Sequence, residues 1–247
     1  MEPWIEFVSI GLIALAAGFV HSAIGFGFGI VAISLIPIVM DVRTAHVVVS
    51  ISSVPMLMMA AWTYRRGVEK RSLVEALVGA AIFLPLGFYL FKTSSMSWLV
   101  RGTGFAIFLM VVWSLRDRSR NANSSRSELP RGTCFLAGGA GGFLAGAVSI
   151  AGPPIAAFAL KQNWSQSQYK SFVAQCLIVI ALYKSVFLAE GGFLVQDVFG
   201  RAAVAATLSV LGVSIGARAT ARIPAARFKW LVAIALLVVS LWMMWSG

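Results

Sequence analysis

Two clusters of helix-breaking residues interrupt apolar runs in this chain. One is Gly25-Phe26-Gly27-Phe28-Gly29. The other is Ser149-Ile150-Ala151-Gly152-Pro153-Pro154. A helix that starts at such a break turns unpaired N–H groups and about half a positive charge toward whatever lies in front of it, which makes an anion site. Pro153 and Pro154 suit the first turn of a helix, where no N–H is needed. Ser149 and Gly152 stand where a cap or an exposed backbone is wanted. Gly25, Gly27 and Gly29 permit close approach and dihedrals closed to other residues. The chemistry on offer is therefore binding of a small anion by backbone donors, without a buried Arg or Lys. The structural alternative is that the glycines only let helices pack closely. Gly18 and Gly142 fit that reading, and the two clusters fit a substrate site better.

Other candidates surround the breaks. His21 precedes the first break in an otherwise uncharged segment, and a buried ionisable group in a span is a functional candidate by default. It is either a donor to the anion or carrier of a coupling proton, or a neutral ring bonded to a carbonyl. Ser50, with Ser52 and Ser53, follows the first break, and Gln175 follows the second at a similar depth. They line the site or bond across helices. His46, at a helix end, reads as interfacial. Lys184 lies about one turn from the end of its span, where it can snorkel to headgroups.

The elements that must hold these residues are transmembrane helices. The chain has 247 residues, 59% hydrophobic and 12% charged, where a soluble domain is about a quarter charged. Charge-free apolar runs recur along the whole length, which predicts an all-α polytopic membrane protein. Residues 4–22 and 29–40 read as a broken or re-entrant hairpin, because twelve residues at about 1.5 Å each do not cross a core of about 30 Å. Spans are expected at 46–64, 73–91 and 98–115. A polar linker, 116–132, follows. The plan then repeats: hairpin arms at 133–150 and 153–160, and spans at 168–188, 198–216 and 229–246. Setting Gly18 on Gly142, an offset of 124, aligns the two halves, 1–115 and 133–247. The acidic start Met1-Glu2-Pro3-Trp4-Ile5-Glu6, where a signal peptide would carry Lys or Arg, gives no sign of a cleaved leader.

The net charge of +11 belongs to loops, not to a nucleic-acid surface. Loops 65–72, 116–131, 161–170 and 217–229 together hold fifteen of the twenty basic residues, which makes their side cytoplasmic. Each hairpin must then begin and end on one face. The halves face opposite ways, an inverted repeat of one hairpin plus three helices each, in the cell (inner) membrane. Cys134 and Cys176 read as packing residues.

With its two Gly/Pro clusters, Gly18 to Pro37 and Gly142 to Pro154, and its twofold repeat, the chain resembles the TauE/SafE family of sulfite exporters and 4-toluene sulfonate uptake permease-like proteins. Gly152-Pro153-Pro154 agrees well with the family pattern. The first cluster departs from it by spacing its glycines with phenylalanines. The resemblance implies a secondary transporter of sulfite or an organosulfonate, with export favoured, working by alternating access at the paired breaks. The tetrahedral head of such an anion has two or three oxygens to share among N–H donors. No phosphate-binding loop of the G-x-x-x-x-G-K-[ST] type, metal-ligand cluster or nucleophile–base pair is present, so neither an enzyme nor a cofactor is expected. The expected partners are the anion, the lipid bilayer and a coupling proton. A passive anion channel, a membrane-embedded enzyme on a sulfur substrate and a non-transporting membrane subunit are the rival readings. Neither the anion nor the oligomeric state is fixed by the sequence.

Overall fold

The computed structural model describes residues 3–95, 132–162 and 164–220, with isolated helical positions within 97–108 and 234–245. Most of the expected spans 98–115 and 229–246, and nearly all of the linker 116–132, lie outside the described residues. The helices are α1 (Pro3–Ile24), α2 (Phe28–Leu35, extended by a 3-10 turn at Ile36–Ile38), α3 (Val42–Thr63), α4 (Lys70–Thr93), α5 (Thr133–Val148), α6 (Gly152–Lys161), α7 (Gln166–Glu190) and α8 (Gln196–Thr220). Five of them are long and apolar enough to cross a membrane: α1, α3, α4, α7 and α8. The protein is an all-α polytopic membrane protein.

The starts of three spans are written in their caps. Asp41 accepts from the Thr44 N–H at 2.9 Å, so α3 starts four residues before the expected 46. Glu69 accepts from the Arg71 and Ser72 N–H groups, starting α4. The hydrogen bonds from Ser72 hold its carboxyl below the usual range. Ser165 and Gln168 form a reciprocal capping box at α7. Large apolar side chains such as Val78, Ile82 and Leu86 on α4, and Val179, Leu182 and Val186 on α7, are exposed. In a membrane protein that face meets lipid.

Glycines fix how the helices run. A Cβ on Gly18 would fall on the Ser209 carbonyl, one on Gly212 on that of Leu15, and one on Gly216 on that of Phe19. Helix α1 therefore lies against α8 and runs parallel to it. In the same way Gly142 abuts Ala80, Gly139 abuts Phe83, and Gly87 abuts the Phe143 carbonyl, so α5 runs parallel to α4. The two sets correspond. Gly18, Leu15 and Phe19 become Gly142, Gly139 and Phe143 on adding 124. Ser209, Gly212 and Gly216 become Ala80, Phe83 and Gly87 on subtracting 129. Each first arm thus packs on a span of the other half.

Helices α3 and α7 run antiparallel. His46 and Lys184 meet at one end through Ser149. Gln175 bonds the Ala61 carbonyl, and Lys170 lies over the Tyr64 ring, toward the other. Turns of six and five residues reverse the chain between α3 and α4 and between α7 and α8. It follows that α1, α3 and α8 point one way, and α5, α7 and α4 the other. At one end Gly67 faces Gln168, which gathers Arg65, Arg66, Lys70 and Arg71 beside the start of α7. We refer to this as the basic end.

Candidate functional site

The two breaks meet. A Cβ on Gly29 would lie 2.6 Å from the Ser149 carbonyl oxygen, and one on Gly152 would lie 2.6 Å from Phe26 Cβ. These contacts leave no room for a side chain at either glycine. Between and beside the breaks is a cavity of about 70 Å³. Its lining includes His21, Gly27, Gly29, Ser50, Ser149, Gly152, Pro153 and Lys184. That volume accommodates a few waters or one small oxyanion.

Ser149 is the hub of this site. It has φ 61°, the one non-glycine residue in the left-handed region among the described residues. Strain of this kind costs on the order of 1–3 kcal/mol and persists where the surroundings impose it. Here Lys184 Nζ donates to its hydroxyl at 2.5 Å, His46 Nδ1 lies at 3.1 Å and Ser50 Oγ at 3.0 Å. Ser50 Oγ donates to the His46 carbonyl at 2.7 Å. Its hydroxyl is then free to accept from Ser149, which itself accepts from Lys184 and from the Nδ1–H tautomer of His46. That arrangement leaves His46 Nε2 buried with no partner.

The structure moves three residues from where the sequence put them. Lys184 does not snorkel: its residue is 3% exposed and lines the cavity. His46 is not interfacial: it is 1% exposed, covered by the Phe91 ring at 6.0 Å between centroids. Ser149 does not cap the second helix: it ends α5, and Ala151 takes the position before α6 with no side-chain cap. Of the other candidates, Gly25 lines a neighbouring cavity, Pro154 is buried behind the site, and Gln175 donates to the Ala61 carbonyl at 2.9 Å. His21 is 4% exposed and lines both cavities. Lys184 was findable, since it interrupts a long uncharged apolar run inside a span. Burial of His46 depends on Phe91 and leaves no local signal.

The breaks offer different donors. Gly27, whose φ is 116°, immediately precedes helix α2, and the first three residues of the helix, Phe28, Gly29 and Ile30, keep their N–H groups. Helix α6 starts Gly152-Pro153-Pro154, so its first turn has one N–H and two prolines with none. A cradle of backbone donors is available at the first break only. At the second, the Lys184 amine and the Ser149 hydroxyl stand in for it.

The end of the site away from the basic loops is closed by aromatic rings. Phe91 stacks on Phe88 at 5.9 Å and meets Phe193 at 5.4 Å, and Lys184 Nζ lies 5.7 Å from the Phe91 centroid. Arg43 and Lys92 lie over Phe91 and Phe88 from the exposed side. Toward the basic end there is instead a second cavity, of about 260 Å³, which reaches the exposed residues Thr63 and Arg218.

No curated protein and no solved structure matches the chain. A family model, sulfite exporter TauE/SafE, matches residues 10–243. With helices of membrane-crossing length around a buried site where two helix breaks meet, the chain belongs to the sulfite exporter TauE/SafE family, a family of membrane transporters.

Proposed function

We propose that the protein is a secondary transporter of a small oxyanion of sulfur, sulfite or an organosulfonate, in the cell (inner) membrane. The observation that carries this reading is that Lys184 and the three residues that open α2, Phe28, Gly29 and Ile30, line one small cavity at the crossing of the breaks. An oxyanion head presents several acceptors in a compact shape. Three backbone donors, one amine and the Ser149 hydroxyl, once turned from Ser50, satisfy them, and the start of α2 adds its dipole. The Ser149 hydroxyl now holds the Lys184 amine. An entering oxyanion takes over that contact, so the amine is positioned before substrate arrives.

Alternating access is the proposed mechanism. The two halves are read as inverted repeats, and the reversed directions of α1 and α5, α3 and α7, and α4 and α8 support this. Closure by the Phe88–Phe91–Phe193 rings at one end and a wide cavity at the other correspond to a state open toward the basic, cytoplasmic end. That is the side from which an exported anion enters. His21, between the two cavities, is the candidate for handling a coupling proton.

Counterflow in proteoliposomes tests the function. Protein-dependent, saturable exchange of labelled sulfite, lost in Lys184→Gln, is expected. Absence of exchange with sulfite, sulfoacetate and 4-toluene sulfonate contradicts the reading. Currents far above carrier turnover, without counterflow, would replace it by a channel.

A further inference from the structure

The larger cavity has the makings of a binding site of its own. Its polar lining includes His21, Ser22, Thr63, Tyr64, Lys170 and Arg218, and no carboxylate lines it among the described residues. Lys170 is 8% exposed, and its Nζ donates to the Ser22 carbonyl at 3.3 Å. The Ser22 hydroxyl is buried in the cavity wall with no hydrogen-bond partner, in a residue 6% exposed. An unmatched buried hydroxyl is unfavourable, and turning toward an acceptor bound in the cavity would satisfy it.

The internal correspondence points the same way. Adding 124 to Gly25 gives Ser149, and adding it to His46 gives Lys170. Gly25 has φ 89° and Ser149 φ 61°. A Cβ on Gly25 would come within 3.9 Å of Lys170, as Ser149 contacts His46. Each break therefore pairs a left-handed residue, closing the first arm, with a basic side chain from the start of a span of the other half, Lys170 on α7 for Gly25 and His46 on α3 for Ser149. In the second half this pairing builds the buried site. In the first half it stands in an open cavity, where Arg218 adds a cation. His21 belongs to both.

We propose that the Lys170–Ser22–Arg218 cavity is a second binding site for the same class of small oxyanion, loaded from the basic end and handing on past His21. This rests on the reading of the Lys184 cavity as the transport site, and the experiment separates the two. Equilibrium binding of 35S-sulfite would be measured under anaerobic conditions on the full-length protein in nanodiscs, checked for a single elution peak. The wild type is expected to bind two equivalents, and Lys170→Gln and Lys184→Gln one each. Lys170→Arg should keep two. Ser22→Ala and Arg218→Gln, which leave the Lys170 contacts in place, should each weaken one of the two equivalents about fivefold. One equivalent in the wild type, kept in Lys170→Gln and lost in Lys184→Gln, overturns the second site alone. Two equivalents unaffected by Lys170→Gln, Ser22→Ala and Arg218→Gln overturn its location. No binding at all contradicts both sites.

Discussion

The first break is built from glycine and backbone, the second from serine, proline and a lysine. They occupy corresponding positions, and each ends its first arm in a left-handed residue. At the first, glycine takes that conformation at no steric cost, and the following helix keeps its N–H groups. At the second, Ser149 is held there by Lys184, His46 and Ser50, and the prolines remove N–H groups. Lys184 has no basic counterpart in the first half, where subtracting 124 leads to Ala60. The difference shows how a duplicated scaffold makes one asymmetric site: one half supplies donors fixed by backbone geometry, the other a movable charge.

The strongest way to break this comparison is Lys184→Gln. Its amine is the charge in the site, and losing a charged hydrogen bond is worth about 1.5–3 kcal/mol. Exchange should fall about 100-fold, measured as initial counterflow rate, with the protein still inserted. Gly29→Ala comes next. Its Cβ would press on the Ser149 carbonyl at 2.6 Å, so the breaks must separate. A loss of exchange of about 30-fold is expected, of the order of a 1–3 kcal/mol overpacking penalty. Ser149→Gly separates strain from function. Glycine relieves the positive φ, so thermal stability should hold or rise by about 1 kcal/mol, while exchange drops about tenfold because Lys184 loses its partner. Equal losses of both would make Ser149 a structural residue only. Pro153→Ala should have the smallest effect, less than about threefold, since it adds back one N–H at the start of α6. A large loss would mean that the prolines act in transport.

Much of this architecture is legible in the amino-acid sequence. The breaks fall at the Gly/Pro clusters because glycine takes positive φ at the least steric cost and proline suits the first turn of a helix. The charge asymmetry between loops anticipates the clustering of Arg65, Arg66, Lys70 and Arg71 at one end. What the sequence conceals is depth. Lys184 lies six residues before the end of α7 at Glu190, close enough to suggest a headgroup contact. The Phe88–Phe91–Phe193 cluster, drawn from two distant segments, covers it instead. His46 is covered by one of these rings, Phe91. Gln175 has two equal readings in the sequence, and the carbonyl of Ala61, placed only by folding, decides for a contact between helices.

Topology offers an independent check. Arg66→Cys, at the basic end, should react in intact cells only with membrane-permeant thiol reagents. Ser95→Cys, beyond α4 at the opposite end, should react with impermeant ones. The reverse pattern would turn the protein over in the membrane and make the aromatic closure cytoplasmic.

The most direct test of the central claim is 35S-sulfite counterflow in proteoliposomes, comparing wild type with Lys184→Gln in matched amounts. Saturable exchange in the wild type, nearly abolished in the variant, is the predicted result. Exchange that persists undiminished in Lys184→Gln would contradict the assignment of the crossing breaks as the site of anion transport.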